Sequence, residues 1–296
     1  MQEVELPEPG PDEVTVEIRF AGVNPVDYYM AQGRVAPDTP LPRTLGSEGS
    51  GVLDGRPVLI AGGGLGAGRD GVWAQAAVVP SDSVLELPDG VELRDAAAMG
   101  VAGLTAHTCV HEVAKVSAED RVLVLGASGG VGSVIVSLAR AIGATVWGQT
   151  GSESKVAGIE AQGADRVVVS GPEGLAGELA SLTPTAVFDP LGDGFLRPVL
   201  DSMEPGGRIV SFGTSAGPEV EFNLQTLYRK RISLLGYAGM LVGAEERRRG
   251  LTAALEALRA GQLRVVVDEV LPLDEVNQAF QRIIDRQVQG NLLLAL

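Results

Sequence analysis

The feature that most constrains the fold is a glycine cluster between a buried strand and an amphipathic helix, in VLVLGASGGVGSVIVSLARAIGA (122–144). The pattern predicts a strand, a tight turn, a helix from Gly130 to Ile142 and then a second strand. Small residues let the backbone approach a pyrophosphate, and the helix N-terminus supplies N–H groups and a partial positive charge. In the spacing G-x-G-x-x-G the glycine positions are Ala127, Gly129 and Gly132. The context favours a dinucleotide-binding turn over a merely structural one.

Buried strands alternate with helices from about Ala96 to residue 239, which predicts a parallel sheet covered on both faces. The region before it is rich in strands, and EVTVEIRFAGV (13–23) alternates apolar and polar residues. One more strand and two helices follow, and the tail GNLLLAL reads as a last strand. We expect an α/β protein in which a parallel-sheet domain, 99–239, is inserted into a mostly antiparallel β domain formed by 1–98 and 240–296.

Charge and composition argue against several classes of partner. The chain has a formal charge of −15, from 38 acidic and 23 basic residues, and this charge repels nucleic acid and anionic lipid. No apolar run is long enough for a membrane span, and the start MQEVELPEPG lacks the pattern of a signal peptide, so we expect a cytoplasmic protein. A single cysteine, Cys109, and two histidines, His107 and His111, argue against a multi-cysteine or His-rich metal site.

The loop VWGQTGSESK (146–155) follows the second strand of the dinucleotide-binding unit. An NAD site carries an Asp or Glu about 20 residues beyond the turn, where it binds the ribose 2′-hydroxyl. Here that position is Thr150, and Ser152, Ser154 and Lys155 follow. Hydroxyls and an ammonium suit a 2′-phosphate, so we predict NADPH as the cofactor. Alternatively, Lys155 is solvated surface and Ser152 a helix N-cap, although capping and phosphate binding can coexist.

Motifs along nearly the whole chain resemble the zinc-independent quinone oxidoreductase and enoyl reductase branch of the medium-chain dehydrogenase/reductases, which includes zeta-crystallin. The matching segments are AGVNPVDYYMAQG (21–33), LGSEGSGV (45–52), AAAMGVAGLTA (96–106), GASGGVG (126–132), GGRIVSFG (206–213) and QGNLLL (289–294). The resemblance implies a Rossmann-type parallel-sheet domain inserted into a GroES-like substrate domain, a small-molecule substrate and a homodimer. The apolar segment ISLLGYAGML (232–241) is a candidate dimer edge.

In zinc-dependent members of this family a Cys, a His and a second Cys or an acid bind the metal. The matching positions here are Asn24, Ser47 and Val101, which are poor ligands for zinc or none. Without a Lewis acid, alcohol oxidation is disfavoured, and hydride transfer to a quinone or conjugated enone is the expected reaction.

The resemblance also implies which residues form the sites. Around the nicotinamide and the substrate it places Asn24, Tyr29 and Thr105. Along the cofactor it places Ala127, Ser128, Gly129, Gly130, Val131, Gly132, Thr150, Ser152, Lys155, Asp189, Phe212, Gly213, Arg286 and Asn291, with Arg286 directed at the 2′-phosphate. Tyr29 could instead be a packed aromatic residue, Asn24 a turn residue before Pro25, and Thr105 a residue that caps or packs its helix.

The chain departs from the family at three places. In the family a strand and turn usually precede the segment VELPEPGPDEV, at which this sequence almost begins, and by comparison with the family we expect a shorter barrel between Gly51 and GRPVL. Val35 replaces the tyrosine of mitochondrial enoyl thioester reductases, which weakens that assignment. Two alternative functions remain open: a stand-alone enoyl thioester reductase, and a catalytically idle NADPH-binding structural or sensor protein.

Overall fold

The computed structural model describes residues 3–296, which divide into two compact units. Unit 1 runs up to Leu104 and resumes at Gly239–Gly261 and Val265–Leu296, whereas unit 2 consists of Thr105–Ala238 and Gln262–Arg264. The borders expected from the sequence, 98/99 and 239/240, lie a few residues from these. No helix in the described chain is both long and apolar enough to traverse a lipid bilayer.

The strands are β1 Glu13–Val23, β2 Glu48–Leu53, β3 Arg56–Ala61, β4 Ala76–Pro80, β5 Val84–Glu86, β6 Arg121–Val124, β7 Thr145–Thr150, β8 Arg166–Val169, β9 Ala186–Asp189, β10 Arg208–Ser211, β11 Ser233–Gly236, β12 Val267–Pro272 and β13 Asn291–Ala295. The helices are α1 Pro25–Ala31, α2 Leu93–Ala96, α3 Leu104–Thr108, α4 Gly130–Ile142, α5 Val156–Ala161, α6 Pro172–Leu179, α7 Leu196–Ser202, α8 Leu224–Arg229, α9 Ala244–Arg259 and α10 Val276–Ile284. Segments of π-helix, Met99–Gly103 and Cys109–Val113, flank α3.

In the described part of unit 1, seven strands form one sheet in the order β12-β13-β1-β2-β3-β5, with β4 also paired to β1. All pairs are antiparallel except β12 with β13. The alternation along β1 buries Val16 and Ile18 and leaves Thr15 and Glu17 exposed, as a strand with one covered face requires. The buried side chains pack with Ile60 and others from the rest of the sheet into one core.

Unit 2 contains a sheet in the order β11-β10-β9-β6-β7-β8, and every pair in it is parallel. The central strands β6 and β9 are short, largely apolar runs without alternation, as expected for strands covered on both faces. Val122, Leu123 and Val124 of β6 are all fully buried. The predicted fold class, a Rossmann-type sheet together with a mostly antiparallel sheet, is therefore confirmed.

An ion pair joins the start of β10 to the turn before β6. Arg208 donates to both carboxylate oxygens of Asp120, at 3.0 and 2.8 Å, and Thr185 donates its hydroxyl to the same group at 2.7 Å. Burial opposes ionisation of Asp120, but the hydrogen bonds from Arg208, Thr185 and the Ser117 N–H hold its pKa well below its usual range. The network fixes the register of β6, β9 and β10 at one edge of the sheet.

Candidate active site

The turn between β6 and α4 has the form that a pyrophosphate requires. Gly129 precedes the helix in an extended conformation, and no side chain caps the helix start. A Cβ atom at Gly132 would lie 2.4 Å from the carbonyl oxygen of Gly126, so the first helical turn packs directly on the strand end. The N–H groups at the start of this 13-residue helix have no side-chain cap, and such groups are able to bind an anion. Of the predicted cofactor residues 127–132, the first three lie in this turn and the last three form the first turn of α4.

Gln149, near the end of β7, supports the turn and was not predicted from the sequence. Its side-chain oxygen accepts from the Gly126 N–H at 3.0 Å, and its backbone oxygen accepts from the Ala127 N–H at 2.9 Å. Its Nε2 donates to the Ser170 carbonyl at 2.6 Å. The Gln149 side chain is buried, and its hydrogen bonds connect the ends of β7 and β8 to the turn between β6 and α4. A glutamine near the end of a strand, in TVWGQT, was the available signal.

The loop after β7 divides the predicted 2′-phosphate residues into two groups. Thr150 is buried, and its hydroxyl oxygen lies 3.4 Å from the Ser152 backbone nitrogen, which donates to it. The hydroxyls of Ser152 and Ser154 are 2.8 Å apart, and Lys155 ends the short 3-10 turn that precedes α5. Ser154 is exposed, and Ser152 and Lys155 are half-buried. Thr150 thus supports the loop from inside, while the other three residues form its accessible side.

The loops after β9 and β10 meet at the carboxyl edge of the unit 2 sheet. Asp189 is buried, which raises its pKa, and its Oδ1 accepts from the N–H groups of Leu191 and Gly192 at 2.8 and 3.0 Å. The Phe212 N–H donates to the Asp189 carbonyl at 3.0 Å. A Cβ at Gly213 would lie 2.9 Å from the Pro190 oxygen. The carboxylate of Asp189 therefore shapes its own loop.

In unit 1, helix α1 begins at Pro25 immediately after Asn24, which is its N-cap residue. The Asn24 N–H donates to Asp27 Oδ2 at 2.8 Å, and the Ser47 N–H donates to Asp27 Oδ1 at 3.0 Å. Asp27 is completely buried, and this burial raises its pKa to about 6, although the hydrogen bonds lower it. Asp27 therefore connects the start of α1 to the segment that precedes β2.

Glu48, at the start of β2, is the second buried acid in this part of unit 1. Its Oε1 accepts from Asn24 Nδ2 at 2.6 Å, and its Oε2 accepts from the Val101 N–H at 2.8 Å. The residue is 1% exposed. Burial raises the pKa of Glu48 to about 7, the hydrogen bonds from Asn24 and Val101 lower it, and the charge of Asp27 raises it further. Sequence reasoning missed both acids, although each lies inside a segment that carries the family resemblance.

The three positions that match zinc ligands in relatives converge on these two carboxylates. The side-chain Nδ2 of Asn24 and the backbone N–H of Val101 donate to Glu48, and the backbone N–H of Ser47 donates to Asp27. The side chains at these positions are the amide of Asn24, the hydroxyl of Ser47 and the alkyl group of Val101. None of them is a thiolate or an imidazole, the ligands that a catalytic zinc requires. Within residues 3–296, no group of three or more His, Cys, Asp or Glu side chains is placed to hold a metal. The residues at this position do not fit zinc.

Tyr29 lies on α1, half-buried, among other aromatic residues of unit 1. Its ring centroid is 6.3 Å from that of Tyr28, which in turn lies 5.5 Å from Phe280. The exposed Arg34 places its guanidinium carbon 5.1 Å from the centre of the Tyr29 ring, a cation–π geometry. The ring is thus held on two sides.

Three further predicted residues lie outside these clusters. Thr105 is 9% exposed and lies in α3. Arg286 follows α10 in the left-handed region, with φ 56°. Asn291, at the start of β13, is buried, and both its side-chain Nδ2 and its backbone N–H donate to the Val266 carbonyl, at 3.0 and 2.9 Å. These bonds attach the last strand to the segment before β12.

Comparison with known proteins agrees with this architecture. Residues 10–57 match the family model of the alcohol dehydrogenase GroES-like domain, and residues 130–260 match that of the zinc-binding dehydrogenases. A quinone oxidoreductase of Sus scrofa is 30% identical over 306 residues, which cover 99% of this chain and 92% of the relative.

Two solved structures show how far cofactor and activity vary among proteins of this shape. YhdH of Escherichia coli K-12, solved with bound NADPH, is 26% identical, with a TM-score of 0.82 and coverage of 100% and 95% of the two chains. An NAD-dependent alcohol dehydrogenase is 27% identical, with a TM-score of 0.88 and the same coverage. The relative from Sus scrofa and the two family models together show that the chain is an oxidoreductase belonging to the quinone oxidoreductase branch of the medium-chain dehydrogenase/reductase family.

Proposed function

We propose that the protein is an NADPH-dependent, zinc-independent reductase that transfers a hydride to a quinone or a small α,β-unsaturated carbonyl compound. The observation that carries this proposal is the environment of Asn24. Its side chain bonds to a buried carboxyl group at the position where zinc-dependent relatives bind the metal. A site without a Lewis acid suits acceptors that are already electrophilic, since such acceptors need no metal to polarise them.

The preference for NADPH is supported by the loop after β7. Ser152, Ser154 and Lys155 offer donors, and no acidic side chain follows Thr150 until Glu153. An acid at the end of β7 would repel a 2′-phosphate, whereas an ammonium attracts one. YhdH, the relative solved with NADPH, is consistent with this choice.

In this proposal NADPH, when bound, supplies the hydride. The turn at 127–132 holds the pyrophosphate through backbone N–H groups, and Asp189 and Phe212 keep the neighbouring strand-end loops in place. Asn24 contacts the reacting groups. Tyr29 or a water molecule gives a proton to the enolate or hydroquinone oxygen formed by hydride addition. Arg34 and Tyr28 keep the Tyr29 ring in place.

A homodimer is proposed on the basis of β11. This strand ends the order of the described unit 2 sheet, so one of its edges has no partner strand in that sheet. Leu234 on β11 is 42% exposed, and Met240 and Leu241 shortly after it are also exposed. An uncovered apolar edge favours pairing with a second copy.

The test is steady-state oxidation of NADPH with quinones, 2-enones and 2-enoyl-CoA esters, each assayed with and without a chelator. We expect turnover with the first or second class and no loss on chelation. Tyr29→Phe should lower turnover of enones and leave NADPH affinity unchanged, with Tyr28→Phe as the matched control on the same helix. Turnover restricted to enoyl-CoA esters would favour the enoyl thioester reductase, and NADPH binding without any turnover would favour an idle binding protein.

A further inference from the structure

We propose that Glu48 is a positioning residue that fixes the orientation of the Asn24 side-chain amide. The inference rests on the proposed function in one respect, because Asn24 is taken to contact the reacting groups. Glu48 itself is buried among unit 1 residues and acts through Asn24. The role is distinct from that of a proton donor or a ligand.

The backbone around Glu48 is shaped to hold its carboxyl group. A Cβ atom at Gly22 on β1 would lie 2.4 Å from Glu48 Oε1. A Cβ at Gly100 would lie 2.8 Å from Glu48 Oε2 and 2.7 Å from the Ala61 side chain. Heavy atoms do not approach so closely without a hydrogen bond, so only glycine leaves room at either position. The carboxyl group is therefore closely enclosed by β1 and by the π-helical segment.

The two oxygens of Glu48 have different partners, and this difference gives the amide its orientation. Oε1 accepts from Asn24 Nδ2, and Oε2 accepts from the Val101 N–H. Above about pH 7, where Glu48 is ionised, both of its oxygens are acceptors only, so the NH₂ end of the Asn24 amide faces Glu48 and its carbonyl oxygen faces away. Asp27 holds the backbone N–H of the same residue. Asn24 is thus fixed at both its backbone and its side chain.

Glu48→Gln tests this arrangement while keeping the side-chain volume. The substituted side chain ends in one acceptor and one donor group, whereas the carboxylate ends in two acceptors. If the new amide oxygen keeps the bond to the Val101 N–H, the new NH₂ group faces Asn24 Nδ2, and two donors oppose each other. The Asn24 amide must then rotate by about half a turn, which places NH₂ where the carbonyl oxygen was. On the proposed function, in which Asn24 contacts the reacting groups, those groups would then meet a donor in place of an acceptor.

The experiment measures kcat, acceptor KM and NADPH Kd for wild type, Glu48→Gln, Asn24→Ala and the double variant, with the exposed Glu86→Gln as control. We expect Glu48→Gln to lower kcat about tenfold without changing NADPH Kd. In the Asn24→Ala background, Glu48→Gln should have no further effect on kcat, because the group that it orients is gone. The proposal would be overturned if the loss of kcat in the double variant equalled the product of the losses in the two single variants. It would also be overturned if Glu48→Gln had the kcat of wild type.

A second readout does not depend on turnover. The side-chain ¹⁵N resonance of Asn24 should shift in Glu48→Gln and stay unchanged in Glu86→Gln. An unshifted Asn24 resonance in folded Glu48→Gln would overturn the positioning role even if no acceptor were reduced. Absence of turnover in wild type with a shifted resonance would instead contradict the proposed function and leave the positioning role intact.

Discussion

The side-chain oxygen of Gln149 accepts a 3.0 Å hydrogen bond from the backbone N–H of Gly126, so the end of β7 fixes the turn between β6 and α4. Gln149→Leu would leave the Gly126 N–H and the Ser170 carbonyl without this partner. A buried group left unpaired costs about 1 to 3 kcal/mol. We expect a lower free energy of unfolding and weaker binding of NADPH and NADH by a similar factor, because both nucleotides use the turn.

Urea unfolding measures the free energy of unfolding, and fluorescence titration measures the affinity for NADPH and for NADH. The matched control is Gln281→Leu on the exposed face of α10, which should change neither quantity. A loss confined to NADPH would assign Gln149 to recognition of the 2′-phosphate rather than to support of the turn.

Lys155→Ala tests the choice of nucleotide. A charge-assisted hydrogen bond to the 2′-phosphate contributes about 1.5 to 3 kcal/mol, and about 1.4 kcal/mol is a factor of ten in affinity. We expect NADPH binding to weaken roughly ten- to hundredfold on this basis and NADH binding to stay nearly unchanged. Lys115→Ala removes the same charge from an exposed position of unit 2 and should leave both affinities intact. Equal losses for the two nucleotides would show that Lys155 supports the fold.

The buried acids of unit 1 predict a pH dependence of stability. Burial raises the pKa of Glu48 from 4.5 to about 7, so the folded protein binds this proton more tightly than the unfolded chain. The resulting stabilisation is complete below pH 4.5 and is lost as pH rises through 7. It amounts to about 3 kcal/mol, since one pKa unit corresponds to about 1.4 kcal/mol. Asp27, with its pKa raised to about 6, acts in the same direction.

Between about pH 4.5 and 8, the free energy of unfolding should therefore decrease less in Glu48→Gln than in wild type. Urea unfolding at each pH measures this decrease. Glu86→Gln, at an exposed position, should follow the wild-type curve. Parallel curves for wild type and Glu48→Gln would mean that Glu48 is not protonated in the folded protein over this range.

The dinucleotide-binding unit could be predicted from the sequence because its signals are local. The helix over Gly130–Ile142 begins and ends where the glycines and the amphipathic pattern place it. The central strands β6 and β9 are short, largely apolar runs that lie between helices in the chain and are buried, as in a parallel sheet covered on both faces. Such patterns need no knowledge of the tertiary contacts.

The acids at Asp27 and Glu48 could not be found in this way. In VNPVDYY and LGSEGSG they look like turn or surface residues, and their burial depends on glycines and N–H groups distant in the chain. Gln149 was missed for a related reason, because its partners Gly126 and Ser170 lie on different segments. A sequence pattern shows residue type, whereas an environment of this kind is set by packing.

The edge of β11 yields a prediction about assembly. Leu234→Lys places a charge on the exposed apolar edge and should convert the proposed dimer into monomers at micromolar concentration, as measured by sedimentation or light scattering. Leu41→Lys, at a position that is 79% exposed in unit 1, is the control and should leave the mass unchanged. A monomeric wild type would contradict the proposed dimer outright.

The most direct test of the account follows the hydride itself. NADPH carrying deuterium at both hydrogen positions of C4 is mixed with metal-free protein and a small 2-enone, and the product is examined by mass spectrometry and NMR. We predict one deuterium at the β-carbon of the saturated ketone, formed without added metal and retained in the presence of a chelator. Bound NADPH that transfers no deuterium to the enone and reduces no quinone, or transfer that requires added zinc, would contradict the account.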